Sequence, residues 1–137
     1  MKNKTLLLSL LIAGVAIFGV SKAVKDTLEH HYSQSVFASL PAAFWNPAVS
    51  WKNKYQDWDA GDKHPAFAGA DNILVSLTDA WHLFDLLGIV ALIVAGLAAG
   101  RLVSLSARPG RAWWIWGAFI LLGGIGVFHA FYTWIFV

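Results

Sequence analysis

Three long apolar stretches dominate the pattern of this chain, separated by one wide polar interval and one narrow one. The first, TLLLSLLIAGVAIFGVSKAV, covers residues 5–24, although its uncharged part stops at Ser21. The second covers residues 83–105 and is wholly apolar from Leu86 until Arg101. The third, AWWIWGAFILLGGIGVFHAFYTWIFV, covers residues 112–137. A helix needs about 20 predominantly apolar residues to cross ~30 Å of hydrocarbon, and each stretch meets that length. The pattern predicts an all-α integral membrane protein, one domain of three transmembrane helices. An aromatic-rich segment, part helical and part irregular, lies between the first two.

The wide interval, residues 25–80, carries shorter signals. Leu28, Tyr32, Val36, Phe37 and Leu40 have helix-like spacing, and Pro41 ends that run. Asn46-Pro47 reads as an N-cap followed by a first-turn proline, opening a short helix through Trp51 and Tyr55. Residues 56–70, with Gly61, Pro65 and Gly69, read as irregular, and Asp71 or Asn72 as the cap of the next helix. In the narrow interval, SARPGR carries a Pro109-Gly110 turn signal, so the second and third spans form an antiparallel hairpin. The G-x-x-x-G spacing of Gly96 and Gly100, with Gly117, Gly123, Gly124 and Gly126, predicts close helix approach.

Composition sharpens this picture. Of 137 residues, 58% are hydrophobic and only 13% charged, and the mean hydropathy is +0.58. Soluble domains carry about 25% charged residues, so the shortfall points to a lipid solvent. The absence of cysteine excludes disulfides, zinc–thiolate sites, iron–sulfur clusters and thiol nucleophiles. Lys2, Lys4, Arg101, Arg108 and Arg111 flank one side of the spans without acidic neighbours. All eight acids, from Asp26 to Asp85, lie on the other side with five lysines. Under the positive-inside rule the N-terminus is cytoplasmic, residues 25–80 are exported and the C-terminus is outside, as in a bacterial inner membrane. Trp113, Trp114 and Trp116 mark one interface, Tyr132 and Trp134 the other. A competing reading treats residues 1–23 as a cleavable signal peptide with a Ser21-Lys22-Ala23 site; Lys22 and the long apolar core favour retention.

The most informative stretch is LTDAWHLFD, residues 77–85. Asp79, His82 and Asp85 recur every third residue, which gathers them within ~120° on one helix face. Such a face turns inward or toward water, and Trp81 and Phe84 turn toward headgroups. Counting rises from the hairpin turn, His129 lies ~4.5 Å in height from Asp85 and ~9 Å from His82. An intramembrane Asp85–His129 pair is therefore expected, and a bis-histidine haem is disfavoured. Aligning the cytoplasmic ends brings Glu29, His30 and His31 level with Asp79 and His82. Asp79, His82, Glu29, His30 and His129 are thus candidate ligands for zinc or a similar divalent ion, which accepts imidazole and carboxylate. No HExxH or HxxxH pair supports that set. The plainer expectation needs no cofactor: Asp79 and His82 make helix-start hydrogen bonds to the exported segment, with Ser50, Asn53 and indole N–H groups as partners. Trp45, Trp51, Tyr55 and Trp58, with Lys52 and Lys54, form either an interfacial cap or a platform for a headgroup, glycan or peptide.

FWNPAVSWKNKY, followed by NILVSLTDAWHLF, resembles a family of small uncharacterised bacterial membrane proteins with an N-P, S-W-x-N-K, L-T-D-x-W-H pattern. The match covers residues 44–84. Asn46, Pro47, Ser50, Trp51, Asn53, Lys54, Asp79, Trp81 and His82 hold its signature positions. The resemblance implies no activity. No Ser-centred triad motif, phosphate loop or nucleic-acid signature is present. Three functions follow as expectations. The first is a noncatalytic interaction or accessory subunit in the bilayer, with a homo-oligomer or membrane-protein partner. The second is a metal-dependent hydrolase acting on lipid headgroups, and the third an oligomeric proton or ion conductor.

Overall fold

The computed structural model describes residues 2–136. Three long helices form the body: α1 (Lys2–His30), α4 (Ala80–Ser104) and α5 (Pro109–Phe131). Each is long and apolar enough to cross a membrane. The single turns α2 (Ala42–Trp45) and α3 (Pro47–Ser50) lie between α1 and α4. So does a two-stranded antiparallel hairpin, β1 (Tyr55–Asp57) with β2 (Asp62–Pro65). Val137, the last residue of the third apolar stretch, is outside the described residues.

The body is held by small residues. Within lipid, apolar side chains gain little from leaving one hydrocarbon for another, so close backbone approach and dispersion decide which faces meet. α1 runs between its two partners. Gly14 of α1 lies against α4 so tightly that an added Cβ would stand 2.7 Å from the Ala91 carbonyl oxygen and 3.0 Å from Ala95 Cβ. On its other flank, a Cβ at Gly19 would meet Val127 and the Gly124 carbonyl oxygen of α5 below 3.0 Å. Leu11, Ala95, Ala98 and Ala99 fill the seam between α1 and α4.

The pairing is antiparallel between α1 and α4: Gly14 sits by Ala95, Ser21 by Gly88 and Lys25 by Asp85. α5 runs parallel to α1, with Val15 at Gly123 and Phe18 at Gly124. The expected hairpin forms, with Pro109 at the first position of α5, where its missing N–H costs nothing. The G-x-x-x-G expectation is corrected. A Cβ at Gly96 would meet nothing within 4 Å, and one at Gly100 only the Trp113 ring at 4.0 Å. Alanines of the same run carry the contact, together with glycines of α1.

The wide interval departs from its expected elements in several places. The apolar spacing after Asp26 does not make a new helix. α1 continues to His30, and two 3-10 turns, Tyr32–Gln34 and Val36–Ser39, follow. The helix opened by Asn46 is only one turn long and tightens into a 3-10 turn, Trp51–Lys54. Its cap is as expected, with the Asn46 side chain accepting from the Ala48 N–H at 3.0 Å. Residues 56–70 are not wholly irregular but contain the β hairpin, whose tip places Gly61 at φ 86°, a conformation side-chained residues resist. A second core joins the ends of the long helices to this interval. Ala23, Val24 and Leu28 of α1, Phe37, Ala80 and Phe136 are buried together. Phe37 stacks on Trp45 with centroids 5.0 Å apart and meets Phe136 at 4.8 Å.

These contacts separate two glycines of similar appearance. Gly14→Ala must push the α4 backbone away and should destabilise the protein by about 1–3 kcal/mol, in the range of overpacked cores. Gly96→Ala should be neutral or gain up to about 1 kcal/mol of helix propensity. Thermal unfolding of both variants in one detergent checks the contrast.

Candidate functional site

Asp79 organises the start of α4. Its backbone is extended (φ −157°, ψ 163°), which stops the chain from continuing a helix backward and makes it the N-cap. One carboxylate oxygen accepts the His82 backbone N–H at 2.9 Å. The other lies 2.7 Å from His82 Nδ1 and 3.2 Å from the Thr78 hydroxyl, whose one proton has a nearer acceptor in the Val75 carbonyl at 2.7 Å. Against a carboxylate oxygen, Nδ1 carries a proton and donates. Asp79 is 2% exposed, and a carboxylate that deeply buried persists only when its oxygens are satisfied, as they are here. The expectation of Asp71 or Asn72 as the cap is therefore corrected by eight and seven positions. Those residues lie in turns where Asn72 bonds to Asp71 and to the Ile73 N–H.

The interval between α1 and α4 is latched onto this cap through one side chain. Asn53 Nδ2 donates to the Ala43 carbonyl at 2.6 Å and to the Thr78 carbonyl at 2.8 Å. It thereby ties α2 to the residue preceding Asp79. Asp79 makes a helix-start bond as expected, but its partners are corrected. Asn53 bonds the Thr78 backbone carbonyl, the Trp51 indole donates to the Ala48 carbonyl, and the Asp79 carboxylate is left to Thr78 and His82.

A pocket of about 260 Å³ opens beside the cap, lined by Glu29, Pro47, Ser50, Trp51, Asp79, Trp81 and His82. Antiparallel register explains the meeting of Glu29 with Asp79 and His82, because it places the last turn of α1 beside the first turn of α4. The height alignment of Glu29 with Asp79 and His82 thus holds. The remaining candidate ligands go elsewhere. His30 is exposed, His31 sits edge-on to Tyr132 at 5.6 Å, and His129 lines a separate cleft with Lys22 and Asp26. Among the described residues no three His, Asp or Glu side chains gather within reach of one ion.

The expected Asp85–His129 pair is also corrected. Asp85 forms an ion pair with Lys25 of α1, whose ammonium also stands 4.2 Å from the centre of the Trp81 ring. Sequence reasoning counted Lys25 only as a loop charge. Extending to it the alignment used for Glu29 reveals it as Asp85's partner. Trp81 and Phe84 turn inward, contrary to expectation: Trp81 walls the pocket and Phe84 packs 6.1 Å from Trp45. A cation held by Lys25 and a facing aromatic wall give both rings partners that lipid headgroups would otherwise supply.

The aromatic and basic residues divide into two groups. Trp45 belongs to a ring cluster with buried Phe37 and half-buried Phe44 and Phe84. Trp51, Tyr55 and Trp58 form a second cluster, with Trp58 4.6 Å from Trp51 and 4.9 Å from Tyr55. Lys54 lies over Tyr55 and Lys63 over Trp58, while Lys52 pairs with Asp59. In the β hairpin the His64 backbone N–H and then its ring hold the exposed Asp62 carboxyl below its ordinary pKa. A lowered folded-state value means that the contribution of this contact is present above the unfolded value. It is lost as pH falls through the folded one.

Comparison with family models, with curated proteins and with solved structures finds no match to the chain.

Removing the cap should be costly because it exposes several orphaned groups at once. Asp79→Ala should lower stability by about 2 kcal/mol or more, combining a lost N-cap with a half-buried His82 ring left without its acceptor. His82→Ala should cost less, since the cap to the backbone survives. Thermal unfolding of both variants in detergent orders the two effects, and an equal cost would contradict the assignment.

Proposed function

We propose that this chain is a noncatalytic integral membrane protein, an interaction or accessory component that works by binding at its capped end. The observation that carries the reading is the commitment of Asp79: both oxygens are spent on capping α4 and orienting His82. What remains around the pocket is a rigid, partly apolar wall bordered by Glu29, suited to holding a ligand in place. The hydrolase alternative needs three convergent ligands, and Glu29, Asp79 and His82 line one pocket without closing on one ion. The conductor alternative loses its Asp85–His129 pair and would have to run through His129, Lys22 and Asp26.

The proposed setting is a bacterial inner membrane, with the N-terminus cytoplasmic and the capped end outside. The one-sided distribution of acids and arginines supports this orientation. Retention of the first span is supported by its position, since Leu11, Gly14, Val15 and Gly19 supply the contacts to both other helices. The family resemblance also remains a proposal. It gains physical sense because Asn46, Asn53 and Asp79 serve as cap, latch and cap, while Pro47, Ser50, Trp51, Trp81 and His82 border the pocket.

Two measurements test this reading. The cysteine-free chain allows single-site labelling: in cells, Asp71→Cys should react with a membrane-impermeant maleimide from outside, and Arg108→Cys should stay protected until the membrane is opened. The reverse pattern would overturn the orientation. Elemental analysis of the purified protein should find well under one equivalent of transition metal per chain. A stoichiometric metal that disappears in His82→Ala would replace the noncatalytic reading with the hydrolase.

A further inference from the structure

We propose that the pocket between α1, α3 and α4 binds an ammonium group, either as the headgroup of an amine-bearing lipid or as a small free amine. This deepens the binding reading above and rests on it.

The chemistry of the walls selects the charge. Glu29 brings a carboxylate with no hydrogen-bonding or ionic partner among the described residues, and Asp79 brings a second formal negative charge to the same wall. The nearest lysines do not offset them. Lys25 is paired with Asp85, and Lys22 with Asp26, so each is neutralised by its own acid. Glu29 has no such counter-charge, so the site carries an excess of negative charge, which repels anions and attracts a cation.

The shape and lining select the kind of cation. Two indoles, Trp51 and Trp81, wall the pocket, and the negative face of an indole ring is the best aromatic acceptor for alkylammonium groups. The protein already uses that property at this place, where the Lys25 ammonium lies 4.2 Å from the Trp81 ring centre. A hard metal ion wants a full shell of oxygen or nitrogen donors, which these walls do not supply. A soft organic cation needs a counter-charge at one edge and apolar faces elsewhere, and the pocket offers that combination. At about 260 Å³ it is smaller than the ~300–1,000 Å³ typical of sites for drug-sized ligands and matches a fragment the size of a headgroup. A primary ammonium would donate hydrogen bonds to the Glu29 carboxylate while lying against the rings. Trimethylammonium would rely on the rings alone.

The test uses the purified full-length chain in a non-ionic detergent. Phosphatidylethanolamine, phosphatidylcholine and phosphatidylglycerol with identical acyl chains are offered in turn and retention is read by native mass spectrometry. Ethanolamine and choline are titrated separately by calorimetry. The proposal expects at least about 5-fold greater retention of an amine-bearing lipid than of phosphatidylglycerol, or saturable binding of a free amine. In either case Glu29→Gln should weaken it by at least 5-fold, at unchanged melting temperature because Glu29 is exposed. Trp51→Leu should weaken it similarly; if that variant fails to fold, Glu29→Gln alone decides. Lipid preference without free-amine binding assigns the ligand to the membrane, and free-amine binding without lipid preference assigns it to solution. Equal retention of all three lipids with no amine binding would overturn the proposal, as would binding unchanged in Glu29→Gln. Neither result depends on metal content, so this failure is distinct from failure of the noncatalytic reading.

Discussion

A carboxylate buried to 2% exposure at the first turn of a membrane-length helix is the constraint on which the capped end depends. Asp79 can sit there because the His82 N–H and the His82 ring both donate to it, with the Thr78 hydroxyl 3.2 Å away. Each of those groups is thereby fixed in turn. The His82 ring takes one orientation, Thr78 presents its carbonyl to Asn53, and Asn53 draws in α2 through Ala43. A buried charge is expensive, and the cost is offset by ordering a whole layer of chain around it. The result is a defined pocket beside the first turn of α4.

Small residues in the body transmit this arrangement. Gly14 and Gly19 let α1 approach both partners at backbone distance, which sets helix register to within a residue. Register then decides chemistry at the far end. It places Lys25 opposite Asp85, so that neither charge stands alone near the apolar body, and it carries Glu29 to the cap. Sliding α4 by one turn against α1 would remove both pairings and require a Cβ to pass the Ala91 carbonyl. Membrane helices gain little from burying apolar area against each other, so steric registration of this kind does the work that hydrophobic burial does in water.

The three long helices, the turn between the last two and the Asn46 cap were legible in the sequence because each rests on local signals of composition or capping. Glu29 was placed at the right height by counting rises, which works for straight helices whose ends align. The same arithmetic failed for Asp85 and His129 because height is only one of three coordinates. Asp85 faces Lys25 of α1, whereas His129 opens onto a cleft that it shares with Lys22 and Asp26 of α1 and Leu92 of α4. The short elements were misread for a related reason. Tyr32, Val36 and Phe37 have helical spacing, yet Ser35 breaks the run by accepting from the Phe37 N–H and donating to the Tyr32 carbonyl, closing separate 3-10 turns. Trp81 and Phe84 looked like interfacial anchors until Lys25 and Trp45 supplied inward partners that no local pattern announces.

Hydrogen exchange resolved by peptide tests the central claim most directly, comparing the native chain with Asp79→Asn. If the buried carboxylate orders the cap, protection should fall together over the first turn of α4 and over residues 42–54, while the middle of α1 stays protected. Loss confined to residues 80–83, with 42–54 as slow as in the native chain, would contradict it.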